Sequence, residues 1–251
     1  MSTSTSSRTA LITGASRGLG AAIALELGAV GANVSINYLN SGNAAEQLCQ
    51  RIRQAGGHAH AFKADVRSEA EVVRLVDEVR DVFGDVDMLV VNATGPQPFL
   101  SIEEQTWGAY LDQLEFFVKS PLLLLKQVLP GMKERGFGRI INIGSEVFEL
   151  GNPRFANYVS AKGAQLGLTR SWARELAPTG ITVNLVAPGW IPTERHADAT
   201  QEELDSYTAN VPMKRRGRAE DVAKMVAFLA SDAASFITGQ RVSVNGGDTL
   251  T

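Results

Sequence analysis

The chain has 251 residues, of which 44% are hydrophobic and 20% charged, the composition of an ordinary globular protein long enough to bury a substantial core. A formal net charge of −3 gives no footing for nucleic-acid binding or for an anionic membrane surface. The single cysteine, Cys49, excludes an intrachain disulfide and fits a reducing compartment, and no apolar run approaches the ~18 residues of a membrane span.

Residues 1–8 are rich in Ser and Thr, lack the apolar stretch of a signal peptide, and read as a flexible tail on a soluble, cytoplasmic protein. Beyond them, short β-branched runs alternate with longer helical patterns. Ala10-Leu11-Ile12 is a predicted strand, followed by a glycine turn and a helix around Leu19 to Leu27. Val34 to Tyr38 is the second strand, and the helix through Ala44 to Ala55 after it stops at Gly56-Gly57. His60 to Lys63 forms a third strand, and Ser68 with Glu71 has capping-box spacing for a helix to Phe83. Met88-Leu89-Val90-Val91 is a fully buried fourth strand by composition. A long helical region through Leu129 leads into the strand Arg139 to Ile143. The helix bearing Tyr158 and Lys162 runs to about Ala177, and Ile181 to Val186 and Arg241 to Val244 complete the strands. This alternation predicts one α/β domain over residues 9–251, a doubly wound parallel sheet of about seven strands with helices on both faces. The polar stretch around 190–216 is too long for a routine connection and reads as a substrate lid.

Two motifs carry chemistry. Thr13-Gly14-Ala15-Ser16-Arg17-Gly18-Leu19-Gly20 links the first strand to the first helix, where glycines let the backbone approach a pyrophosphate favoured by the helix N-terminus. Tyr158 and Lys162 stand four apart on a helix, hence on one face. A lysine ammonium beside a phenol favours the phenolate, lowering the tyrosine pKa from about 10 toward the range of a useful proton donor or acceptor.

The glycine pattern, Asn92-Ala93 after the fourth strand, Ser145, the Tyr158/Lys162 pair and Pro188-Gly189 recur in this order in short-chain dehydrogenases/reductases, which the chain resembles from Thr9 to Gly247. Within that Rossmann-like family it looks most like the 3-oxoacyl-carrier-protein reductase type. The resemblance implies that Tyr158 exchanges a proton with a carbonyl or alcohol oxygen, that Ser145 hydrogen-bonds that oxygen, and that Lys162 binds the nicotinamide ribose. It places Asp65-Val66 at the adenine, Asn92-Ala93 along the cofactor, and Pro188, Gly189, Ile191 and Thr193 at the nicotinamide. Tyr38 occupies the end of the second strand, where NAD-preferring members carry an acid. With no carboxylate near Tyr38, Asn40 and Ser41, and with Arg17 placed to pair with a 2′-phosphate, NADP(H) is expected in preference to NAD(H). The implied partners are a small carbonyl or alcohol substrate and further copies of the chain, as a tetramer or dimer, with no nucleic acid and no membrane.

The chain also departs from the pattern. The family's active-site asparagine, which helps keep a helix bend and a water joining the lysine to solvent, falls on Phe117, and the usual Asn-Asn-Ala-Gly becomes Val91-Asn92-Ala93-Thr94. Phenylalanine offers no hydrogen bond for either task. Related halohydrin dehalogenases carry arginine at the lysine position and obstruct the glycine loop, whereas Lys162, Gly14, Gly18 and Gly20 are intact. Carrier-protein reductases present arginines where this chain has Thr179 and Gly136, with Lys133 and Arg135 nearby. A secondary-alcohol, sugar or steroid-type dehydrogenase, and a catalytically silent NADP-binding module, therefore stand as alternatives. Pro96 to Phe99, Val147 to Leu150, Phe155 and Trp190 are candidate pocket walls, Phe148 and Phe155 reading equally as packing. His58, His60 and His196 have no ligand spacing, so no metal site is expected, and Lys214 to Arg218 reads as a solvated loop.

Overall fold

A computed structural model describes residues 8–194 and 199–250. Seven strands pair in parallel: β1 (Thr9–Ile12), β2 (Asn33–Tyr38), β3 (His58–Lys63), β4 (Val86–Val91), β5 (Gly138–Ile143), β6 (Ile181–Pro188) and β7 (Arg241–Val244). Their order is β3-β2-β1-β4-β5-β6-β7, so the winding reverses between β1 and β4. In such sheets the ligand crevice opens outside the carboxyl ends of the strands at this switch point.

Every residue of β1, β5 and β6 is buried, as expected of parallel strands covered on both faces. One face packs against α1 (Gly18–Ala29), α2 (Gly42–Gln54) and a C-terminal helix at Ala219–Ala230, with Ile23, Leu27, Ile52, Val222 and Val226 in a shared core. The other packs against α3 (Glu69–Phe83) and the helices flanking β5, through Val72, Leu75, Leu124, Met132 and Leu176. No helix among the described residues is long and apolar enough to cross a membrane.

The elements follow the sequence expectations with informative exceptions. The long helical region before β5 is two helices, α4 (Trp107–Leu114) and α5 (Ser120–Arg135), joined by a π-helical turn over Glu115–Lys119. The bend expected to depend on an asparagine is therefore present with Phe117 inside it. After β5 come the short α6 (Val147–Leu150) and the long α7 (Ala156–Leu176). Ser68 caps α3 by accepting from the Glu71 amide, but the Glu71 carboxylate accepts from the Asp65 amide instead of closing the expected box. The stretch around 190–216 is more regular than expected. It contains α8 (Gln201–Asn210), whose Thr200 and Glu203 form a true capping box.

Arg8, assigned to the tail, is anchored: its carbonyl accepts from Asn33, and its guanidinium pairs with Asp232 at 2.8 Å and lies over the Phe137 ring. The rest of that tail and His196 lie outside the described residues. The helix at Ala219–Ala230 becomes α9; Arg215 in the basic loop before it pairs with Asp221 at 2.8 Å.

Candidate active site

A cleft of about 1400 Å³ runs along the carboxyl ends of the strands, large enough for a dinucleotide and a substrate together. Its floor is the β1–α1 turn. Gly14 and Gly18 both hold positive φ, at 60° and 58°, which L side chains rarely adopt. A Cβ on Gly20 would lie 2.7 Å from Ala15 Cα, Asn92 Nδ2 and the Gly14 carbonyl, so only glycine closes the turn. Arg17 at the N-cap of α1 makes no side-chain capping bond, so the helix start offers the kind of amide site that suits an anion.

The turn is braced from both neighbouring strands. Thr13 Oγ1 accepts from the amides of Asn92 and Ala93 at 2.9 and 3.0 Å. Asn92 Nδ2 donates back to the Thr13 and Gly14 carbonyls, so the Asn92 side chain supports the loop while its backbone borders the cleft. Asn37 Oδ1 accepts from the Gly14 amide, and its Nδ2 donates to the Ala64 carbonyl. Sequence reasoning assigned no bracing role to Thr13, though it opens the glycine motif, or to Asn37; a polar residue at a buried strand end is the available signal. These features fit an extended diphosphate-containing cofactor.

All the residues expected to touch the cofactor line this one cleft. Gly14, Ser16, Arg17, Gly18, Leu19 and Gly20 lie along the turn, and Tyr38, Asn40 and Ser41 follow the end of β2. Asp65 and Val66 follow β3, and Asn92 and Ala93 follow β4. Pro188 ends β6, and Gly189, Ile191 and Thr193 follow it. Arg67, which sequence reasoning missed, joins the wall, but both Asp65 oxygens hold it, at 3.0 and 2.7 Å. That hydrogen-bonded pair keeps the Asp65 carboxyl below its usual range. No carboxylate stands in the Tyr38–Ser41 segment, which lines the cleft together with Arg17.

The side chains expected to carry the chemistry meet elsewhere along the same cleft. Ser145 sits just past β5, where the flanking Gly144 and Glu146 amides donate to Val186 and Pro188 carbonyls and fix the segment against β6. Its Oγ accepts from the Val147 amide at 3.3 Å. Tyr158 and Lys162 project from the first turns of α7 into the same cleft. Tyr158 is held between rings, stacked on Phe155 at 4.7 Å and met edge-on by Phe117 at 5.5 Å. Phe155 is therefore both packing and cleft wall, and it stacks in turn on Phe99 at 4.2 Å. Phe148 instead lies against Gly163 and is half exposed.

Lys162 is only 4% exposed, and an isolated ammonium there would carry a penalty of several kcal/mol. Its Nζ donates to the Ile143 carbonyl at 2.6 Å and to Gln165 Oε1 at 3.1 Å, and lies 3.7 Å from the Phe117 ring centroid. The ring that replaces the asparagine thus meets the ammonium through its π face, an interaction worth about 2 kcal/mol when desolvated. The Tyr158 ring centroid is 5.6 Å from the same Nζ.

A second polar group borders the substrate end. Glu146, next to Ser145, is almost fully buried, and its Oε1 accepts from the Tyr207 hydroxyl at 3.3 Å, while Tyr207 accepts from the Trp190 amide at 2.8 Å. Burial, and then the charge of Asp248, pushes the Glu146 carboxyl above its usual range. The segment after β6 is tied to α8 through this link.

The family model described as Enoyl-(Acyl carrier protein) reductase matches residues 14–249. The 3-oxoacyl-[acyl-carrier-protein] reductase FabG of Staphylococcus epidermidis is 42% identical over 242 residues, 96% of this chain and 98% of that protein. The Haemophilus influenzae protein of the same name is 40% identical over 95% of this chain and 96% of its own length. Among solved structures, a double mutant of a Serratia marcescens short-chain dehydrogenase/reductase superposes with a TM-score of 0.91 at 34% identity, covering 98% of this chain and 99% of that one. With the fold, the cleft and this likeness over nearly its whole length, the chain belongs to the short-chain dehydrogenase/reductase family, oxidoreductases that interconvert ketones and secondary alcohols.

Proposed function

We propose that this enzyme is an NADP(H)-dependent reductase of a 3-oxoacyl group, taking the ketone to the secondary alcohol or running the reverse. The observation that carries the proposal is the convergence of Ser145, Tyr158 and Lys162 on the cleft that also holds the glycine turn. Bound there, the dinucleotide supplies the hydride. Tyr158 gives a proton to the carbonyl oxygen or takes it from the alcohol, and Ser145 hydrogen-bonds that oxygen. Lys162 holds the nicotinamide ribose and favours the phenolate through its charge. The preference for NADP(H) over NAD(H) rests on Arg17 and on the absence of a carboxylate from the Tyr38–Ser41 wall, where a 2′-phosphate meets no repulsion. The segment around 190–216, tied to Glu146 through Tyr207, serves as the substrate lid.

The 42% and 40% identity to reductases of that name supports the acyl substrate class. One observation favours a second reading, a small ketone or alcohol not attached to a carrier protein. Arg135, the arginine nearest the expected carrier contact, is bound to Asp85 at 2.6 Å and Asp87 at 3.1 Å. Exposed Trp107, Leu111 and Leu122 on α4 and α5 support assembly of several copies, as a dimer or tetramer.

The test follows loss of NADPH absorbance with a 3-oxoacyl group presented as a free thioester and on a carrier protein, beside a panel of simple ketones. Faster turnover of the acyl thioesters supports the assignment, and a preference for simple ketones replaces it with the second reading. Tight NADPH binding without turnover of any ketone would leave a silent binding module.

A further inference from the structure

We infer that Gln165 is a positioning residue of the catalytic centre, taking over with Phe117 the support of Lys162 that a hydrogen-bonding side chain at position 117 would give. The inference rests on the proposed roles of Tyr158 and Lys162. Residues 158, 162, 165 and 169 recur at helical spacing and share one face of α7. That face is joined to β5 by hydrogen bonds, Lys162 donating to the Ile143 carbonyl and the Asn142 side chain donating to Thr169. Lys162 donates to Gln165 Oε1 at 3.1 Å, the Thr169 hydroxyl donates to the Gln165 carbonyl at 2.9 Å, and Asn142 Nδ2 donates to Thr169 Oγ1 at 2.9 Å. Gln165, Thr169 and Asn142 are all fully buried.

A glutamine in an apolar interior is unfavourable unless its amide is engaged, yet Gln165 Nε2 has no partner among the described residues. A side chain present for packing alone would be better replaced by leucine. Among the described residues, the polar contact of the Gln165 side chain is with the ammonium beside Tyr158. Oε1 and the Phe117 face approach Nζ as acceptor and π cloud, and together with the Ile143 carbonyl they hold the charge at the edge of the cleft. Carboxylates on the turn and short helix packed against α7 have partners of their own, Glu115 with Lys119 and Glu149 with Arg241, and Glu146 beside Ser145 is held by Tyr207. Gln165 is therefore placed to act on Tyr158 through Lys162.

Two variants test this, Gln165→Leu and Gln165→Glu, read by the pH profile of kcat/KM for alcohol oxidation, where Tyr158 must be ionised. Leucine removes the acceptor and lets the ammonium wander. Glutamate keeps Oε1 but adds a negative charge that offsets the ammonium at Tyr158. In both, the acidic limb should move to higher pH by about one unit, a loss of roughly tenfold in oxidation at neutral pH. Near-UV circular dichroism and Tm establish that each variant is folded, and Gln165→Glu, with unchanged size, carries the test if the leucine variant does not fold. A folded variant whose profile superimposes on wild type overturns the inference. Tyr158→Phe runs alongside: full activity in that variant removes the catalytic reading itself, whereas its inactivity with unmoved Gln165 profiles removes only the role of Gln165.

Discussion

The two ends of the cleft are built from different materials. The cofactor end is made of backbone: glycines at positive φ, the uncapped start of α1 and strand-end amides gathered on Thr13 Oγ1. The proposed proton-transfer end is made of side chains: Ser145, Tyr158 and Lys162 with Phe117, Phe155 and Gln165 around them. A backbone site tolerates little change, because a single Cβ at Gly20 meets three atoms at 2.7 Å. A side-chain site can be rebuilt, because an ammonium accepts an amide oxygen or an aromatic face as its neighbour. This contrast explains how the chain keeps the glycine pattern intact while placing Phe117 in the position of an asparagine.

Substitutions can break that contrast, beginning with the largest effect. Gly20→Val should weaken NADPH binding by about 100-fold or more, measured by nicotinamide fluorescence, since the turn must open to admit the side chain. Retained binding would mean the backbone end is as adaptable as the other. Arg17→Ala should weaken NADPH about tenfold and leave NADH unchanged, the signature of a lost 2′-phosphate pair. Equal losses for both cofactors would move Arg17 to the diphosphate.

Phe117→Leu removes the π face but keeps an apolar filling, and kcat should fall about fivefold with NADPH affinity held. An unchanged kcat would leave the ring a packing role only.

The smallest effect sharpens the substrate border. Glu146 holds its proton more tightly in the folded chain than in the unfolded one, so the native state binds more protons and stability declines as pH rises above the ordinary glutamate range near ~4.3. Glu146→Gln keeps an acceptor for Tyr207 without the buried charge. Its Tm should exceed wild type by about 2 °C at alkaline pH, with the difference shrinking toward acid pH. A difference independent of pH would show that Glu146 carries no such penalty.

The backbone-built half was legible in the sequence because its signals are local. A strand, a glycine turn and a helix follow one another from Thr9 to Ala29, and the winding of the sheet brings Asp65, Asn92 and Pro188 to the same edge. That Ser145, Tyr158 and Lys162 share the cleft was legible through family register. What surrounds them was not. The π turn leaves no mark in a run such as Leu114 to Phe117, where apolar residues satisfy several helical periods at once. Gln165 carried a usable signal, a polar residue that with Thr169 keeps step with Tyr158 and Lys162 on a helix face shared with Ala161, Leu166 and Ala173. Thr200 and Glu203 likewise have capping-box spacing inside the stretch that reads as a lid, where polarity masks a helix of only ten residues. Arg67 and Glu146 matter through partners distant in sequence or set by loop geometry, which spacing alone does not reveal.

The most direct measurement is a paired reading of cofactor binding and turnover in Tyr158→Phe. NADPH affinity should remain close to wild type, because the glycine turn is untouched, while ketone reduction should fall by roughly 10²–10⁴-fold, the range for loss of a positioned acid. A variant that binds NADPH and reduces ketone at the wild-type rate would contradict the assignment of Tyr158, and with it the division of the cleft into a cofactor end and a proton-transfer end.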